Sequence, residues 1–163
     1  MKTTQYNFQK GNSMNTEFVA DFSNSILQAY DELKMLADEK ASAKPNENQW
    51  SVKELLGHLL DSASNNHQRF VRLQIFDEIE FPFYQQDEFV RANNYQNQNW
   101  KMLLDFWKLY NLHLVHIIEN LDHSKLNNVW ITPDNERLTL GHIVEDYLRH
   151  VKHHLEQIKN LVG

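Results

Sequence analysis

The sequence predicts an all-α fold: a four-helix bundle running up-down-down-up, with one long crossover between its second and third helices. Three observations carry this expectation. Apolar residues recur at helical spacing in four separate stretches. Four Gly and three Pro in 163 residues are too few for a turn-rich sheet protein. One connection is about twice as long as a hairpin between helices needs.

The first helix is expected over residues 16–40, with Phe18, Phe22, Ile26, Leu33 and Leu36 as its apolar stripe. Lys44-Pro45-Asn46-Glu47-Asn48 ends it. The second begins at Ser51, where Ser51-Val52-Lys53-Glu54 spells a capping box, and runs to about Phe76. Its stripe is Val52, Leu55, Leu56, Leu59, Leu60, Ala63, Phe70 and Val71. The third runs from Trp100 to Leu121, capped by Asn99, with Leu103, Leu104, Trp107, Leu114 and Ile118 inward. The fourth starts near Thr139 and carries Leu140, Ile143, Val144, Tyr147, Leu148, Val151, Leu155 and Ile158. Residues 1–14 are polar and read as a tail, leaving residues 15–163 as a single domain.

Connection length sets the topology. About ten residues join the first two helices, enough for an antiparallel pair. Residues 77–98 separate the second from the third. Returning along a 25-residue helix takes roughly 37 Å, and an extended chain of this length reaches about 70 Å. The second and third helices are therefore expected to be parallel, with the fourth antiparallel to the second.

Composition narrows the function classes. At 41% hydrophobic the chain can build a core, and its net charge of −6 with no basic block argues against a nucleic-acid partner. With no Cys, disulfides, a cysteine nucleophile and thiolate ligands are all excluded. The opening residues lack the apolar region of a signal peptide, and no run of about 18 apolar residues would span a membrane. A cytoplasmic protein is the expectation.

Nine His is a high count, and their placement points to a metal. In Arg149-His150-Val151-Lys152-His153-His154-Leu155, His150 and His154 sit one helical turn apart and share a face. They continue an edge formed by Ile143, Tyr147 and Ile158, whereas His153 falls beside Arg149 and Glu156 on the wet side. His58 lies roughly 10 Å into the second helix and His154 roughly 13 Å from the end of the fourth, so antiparallel neighbours would bring them level. On a helical wheel, however, His58 falls about 140° from the centre of the Leu stripe, and His67 points closer to that centre. Asp61, one turn after His58, is a candidate to orient a ligand. Tyr84, Tyr110, Tyr147 and Trp107 are candidates for a substrate pocket, Trp107 more naturally a core residue.

Three segments resemble the DinB-like superfamily of small metal-binding bundles, and within it the bacillithiol-transferase-like group of metal-dependent hydrolases. The first is Trp50-Ser51-Val52-Lys53-Glu54-Leu55-Leu56-Gly57-His58-Leu59-Leu60-Asp61-Ser62, followed by Asn66 and Arg69-Phe70. The second is Phe83-Tyr84-Gln85-Gln86-Asp87-Glu88-Phe89 in the crossover. The third is Leu138-Thr139-Leu140-Gly141-His142, leading into His150-Val151-Lys152-His153-His154-Leu155-Glu156-Gln157-Ile158. The resemblance implies that His58, His150 and His154 are the metal ligands, so it selects His58 where the wheel does not. Two positions depart from the family's pattern: Gln85 stands where an acidic residue is common, and Phe89 where a Trp is common.

What the resemblance implies is a metal-dependent thiol S-transferase. Three imidazoles would hold a divalent ion, Zn²⁺ or Ni²⁺, with positions left open. A small-molecule thiol would bind there, lose its proton and attack an electrophilic small molecule. The alternatives are a hydrolase built on the same ligands, with Asp61 or Glu145 as a nearby carboxylate, and a non-catalytic metal- or ligand-binding bundle. The family also implies a homodimer.

Overall fold

The computed structural model describes residues 13–163, with side chains from Thr16 onward. Residues 1–12, most of the expected tail, lie outside the described residues. Helix α1 (Ser13–Leu33) buries Phe18, Phe22, Ile26 and Leu33 of the expected stripe, with Ala29 beside them, while Leu36 lies beyond its end and is partly buried. It stops at Leu33 rather than residue 40. Ala37 is extended, with ψ 147°, and the chain restarts as a short helix α2 (Asp38–Ser42). Asp38 explains the restart. Its Oδ1 accepts from the Trp100 backbone N–H at 3.1 Å and its Oδ2 from Lys53 Nζ at 2.8 Å, tying α2 to the starts of two other helices.

Helix α3 (Val52–Ile75) opens with the expected capping box: Ser51 Oγ accepts from Glu54 N–H at 3.2 Å, and Glu54 Oε2 from Ser51 N–H at 2.9 Å. The crossover is structured. It holds strand β1 (Glu78–Glu80), helix α4 (Gln86–Asn93) and a 3₁₀ turn over Tyr95–Asn97. Helix α5 (Trp100–Glu119) follows, its Asn99 cap accepting from Met102 N–H at 3.0 Å. Strands β2 (Val129–Ile131) and β3 (Arg137–Thr139) then lead into helix α6 (Leu140–Val162), whose Thr139 cap accepts from His142 N–H at 3.3 Å.

Contacts at the helix ends fix the directions. Ser51, before α3, donates to Gln96 Oε1 at 2.7 Å, just before α5. Gln74, late in α3, accepts from Asp122 N–H at 3.3 Å, just past α5. Helices α3 and α5 are therefore parallel. Tyr30, late in α1, donates to Asp105 Oδ1 at 2.8 Å, early in α5, so these two are antiparallel. Early α6 meets late α3, with Tyr147 and Phe70 ring centroids 5.8 Å apart. The bundle is up-down-down-up.

The small sheet was not expected. Strand β2 pairs with β1 in parallel and with β3 antiparallel. Three residues per strand are too few to display an alternating pattern. The sheet caps the bundle at the end of α3, where Asn128 Nδ2 donates to the Leu73 and Phe76 carbonyls. One consequence governs the site. Helix α5 packs on one side of α3, α6 on another and the crossover on a third, so every residue from Val52 to Ala63 is buried.

Candidate metal centre

That enclosure answers the disagreement over His58. A wheel weighs one buried face against one wet face, and the first half of α3 has no wet face. His58 is completely buried. The two levels matched by antiparallel packing do coincide: the rings of His58, His150 and His154 lie with centroids 4.5–5.1 Å apart. His58 Nε2 and His154 Nε2 each stand 3.1 Å from His150 Nε2. All three donor atoms lie within 4.8 Å of one another.

This geometry fits a divalent cation. Bonds of about 2.0–2.1 Å meeting at octahedral to tetrahedral angles separate ligand nitrogens by about 3.0–3.4 Å. The remaining ring nitrogens have different surroundings. His154 Nδ1 faces Gln157 Oε1 at 2.8 Å, an acceptor, so Nδ1 carries the proton and Nε2 keeps its lone pair. His150 Nδ1 lies 3.3 Å from Ser62 Oγ, a hydroxyl able to accept from Nδ1–H. His58 Nδ1 is buried without a protein partner, while Trp50 packs on the ring at 5.1 Å.

Electrostatics keep the trio neutral. Burial, then the neighbouring His154 and His150, pull His58 down to about 3. Burial first and His154 second bring His150 to about 4, and burial also lowers His154. Neutral imidazole is the form that ligates.

The other candidates separate. Tyr84 stands 6.3 Å from His58 between ring centroids, and burial pushes its hydroxyl up to about 12. Tyr84, Tyr147 and His150 share the wall of a cavity of about 400 Å³. Tyr147 is nonetheless a core residue: it is buried, and its hydroxyl donates to Asn111 Oδ1 at 2.7 Å. Asp61 does not bond His58. Its Oδ1 accepts from Tyr95 OH at 2.7 Å and Asn93 Nδ2 at 3.0 Å, and burial raises it to about 6. Tyr110 lies against α3 at His67, its hydroxyl 3.0 Å from His67 Nδ1, and joins neither the three histidines nor the cavity. Trp107 is fully buried core, and Glu145 is raised mainly by partial burial, with His142 and Arg149 as its charged neighbours. Exposed His153 packs beside His154, with ring centroids 5.1 Å apart, and its Nε2 lies 3.1 Å from Gln157 Nε2, outside the set of three donor atoms.

Ser62 and Gln157, which aim the two α6 imidazoles, were not singled out from the sequence. The signal was there: Ser62 follows His58 by one turn, and Gln157 follows His154 by three residues.

Comparison with known proteins agrees with this architecture. The model of the DinB superfamily matches residues 24–158. The uncharacterized protein YuaE of Bacillus subtilis (strain 168) is 45% identical over 38 residues, a match spanning 23% of this chain and 24% of that protein. Among solved structures, YfiT from Bacillus subtilis superposes with a TM-score of 0.80 over 96% of this chain and 90% of that one, at 16% identity. It is described as a probable metal-dependent hydrolase with an unusual four-helix bundle topology.

Proposed function

Taking as premise that the chain belongs to the DinB superfamily, we propose that it is a metal-dependent enzyme that transfers a low-molecular-weight thiol to an electrophilic small molecule. The observation that supports this most is the convergence of three neutral imidazole nitrogens, two pairs at 3.1 Å, beside a cavity with room for both reactants. Held by His58, His150 and His154, a divalent ion such as Zn²⁺ or Ni²⁺ would keep open positions and favour the thiolate form of a thiol at neutral pH.

The chain's own groups have defined tasks in this reading. Gln157 holds the His154 ring in the ligating tautomer, and Ser62 orients the His150 ring. His58 is fixed by burial and by Trp50. Tyr84, whose hydroxyl keeps its proton at neutral pH, is the group we assign to donate a hydrogen bond to the departing group. The thiol proton leaves to solvent, the sulfur bonds to the electrophilic carbon, and the bond to the leaving group breaks with its electron pair. The absence of Cys suits this chemistry, because no thiol of the protein competes for the ion. The cytoplasm, where small thiols stay reduced, is the compartment this activity requires.

Hydrolysis is the second reading, favoured by the fold likeness to YfiT. Water would then take the place of the thiol and need a base. Asp61 is a poor one, since it does not line the cavity: Tyr95 and Asn93 hold its Oδ1, and its Oδ2 is buried.

The test offers metal-loaded protein a thiol with a halonitrobenzene and, separately, a nitrophenyl ester. Metal-dependent thioether formation, lost in a His150→Ala/His154→Ala variant, is expected. Ester cleavage without thiol consumption would establish the hydrolase instead, and neither reaction would leave a non-catalytic bundle.

A further inference from the structure

Arg69 belongs to a motif that the proposed chemistry leaves unused. It is 6% exposed and lines the same cavity as His150. A guanidinium this deep is costly unless paired, yet among the described residues it has no carboxylate partner. Its Nη1 donates to Asn66 Oδ1 at 3.3 Å, and its Nε is buried with no partner. Of the cavity's two carboxylates, Asp146 pairs with Arg149 at the surface and Glu136 is exposed.

The neighbours present this cation rather than neutralise it. The guanidinium carbon lies 3.9 Å from the Trp130 ring centroid and 5.5 Å from that of Phe81. Trp130 is fixed in turn by Nε1 donating to the Phe81 carbonyl at 2.8 Å. Stacking covers a guanidinium's face and leaves its edge for planar acceptors. The position also points to the metal centre. Ser62, Asn66 and Arg69 share one face of α3, and Ser62 touches His150. About 10 Å of helix rise separates Ser62 from Arg69, and the contact with Asn66 leans the guanidinium back toward the histidines.

We propose that Arg69 is an anion anchor: it binds a carboxylate on the small molecule whose reacting atom sits at the three histidines. The substrate class is an extended, carboxylate-bearing thiol. This deepens the proposed function and rests on it only for the thiol end.

The test uses Co²⁺-loaded protein and two probes of equal length, 6-mercaptohexanoic acid and 6-mercaptohexanamide, followed by the sulfur-to-cobalt absorption band. Wild type should bind the acid at least tenfold more tightly than the amide. Arg69→Met, which keeps the aliphatic stem, should hold the same cobalt, bind the amide as before and lose the preference. A preference that survives in Arg69→Met, or is missing in wild type, overturns the proposal. Should Arg69→Met fail to fold, Arg69→Lys decides: a reduced preference at unchanged amide affinity supports the anchor, and a full preference overturns it. If neither probe gives a sulfur band, the thiol reading fails, and hexanoate titrated against the Arg69 Nε–H resonance judges the anchor by itself. A saturable shift supports it, and no shift overturns it.

Discussion

Gly57→Ala sets two effects of known size against each other. Gly57 is interior to α3, so on helix propensity alone Ala stabilises by about 1 kcal/mol. The structure reverses that sign. A Cβ on Gly57 would lie 2.1 Å from Tyr95 Cδ2, 2.2 Å from Cγ and 2.7 Å from Cε2, against the 3.5–4.0 Å of ordinary carbon contacts. The obstacle is a ring, 8% exposed, whose hydroxyl is bonded to Asp61. Its displacement combines overpacking, about 1–3 kcal/mol, with loss of a hydrogen bond to a buried carboxyl, about 1.5–3 kcal/mol. The clash wins, and the net loss is about 2–4 kcal/mol. Urea unfolding of metal-free protein measures it, as a midpoint lower by about 1–2 M. In a Tyr95→Ala background the obstacle is gone, and the same substitution should stabilise by about 1 kcal/mol. A raised midpoint in the single variant, or equal effects in both backgrounds, would refute the close approach of this turn to α3.

Asp61→Asn should stabilise the metal-free protein at pH 7.5 by about 1–3 kcal/mol. Burial raises the folded carboxyl to about 6 from its usual 3.8, so the charged form costs stability above pH 6 and the difference vanishes below about pH 4, which denaturation at both pH values checks. Tyr147→Phe should cost about 1–3 kcal/mol by stranding Asn111 Oδ1 while leaving cation affinity unchanged; a lost cation site would give Tyr147 a role in the centre itself. Because His58 and His150 stay neutral to about 3 and about 4, and burial lowers His154 as well, proton competition should weaken cation binding only below the ordinary imidazole range. Isothermal titration showing a tenfold loss per pH unit from pH 6.5 downward would contradict that.

The long helices were legible because each carries its own start signal. Ser51, Asn99 and Thr139 cap in the structure where the sequence places them. The length of residues 77–98 likewise predicted the parallel pair. Three features were not legible. The break after Leu33 has no Gly or Pro to mark it, since it comes from Asp38 bonding to residues 53 and 100. The sheet uses strands of three residues and pairs Ile79 with Trp130, fifty-one positions on. His58 looked like a rim residue because a wheel does not know how many neighbours a helix has; there the family resemblance supplied what periodicity lacked. For His150 and His154, spacing and the apolar edge they extend put both rings on one face, and the family resemblance selected them as ligands. Tyr110 shows the converse: an aromatic on the right helix faces His67 instead.

The central claim is that His58, His150 and His154 hold one cation together. X-ray absorption on zinc- or nickel-loaded protein, with the metal quantified per chain, tests it most directly. The account expects one cation per chain with three imidazole nitrogens at about 2.0–2.1 Å, and loss of that shell in His58→Ala. An oxygen-only shell, or full occupancy with an unchanged histidine count in His58→Ala, would contradict it.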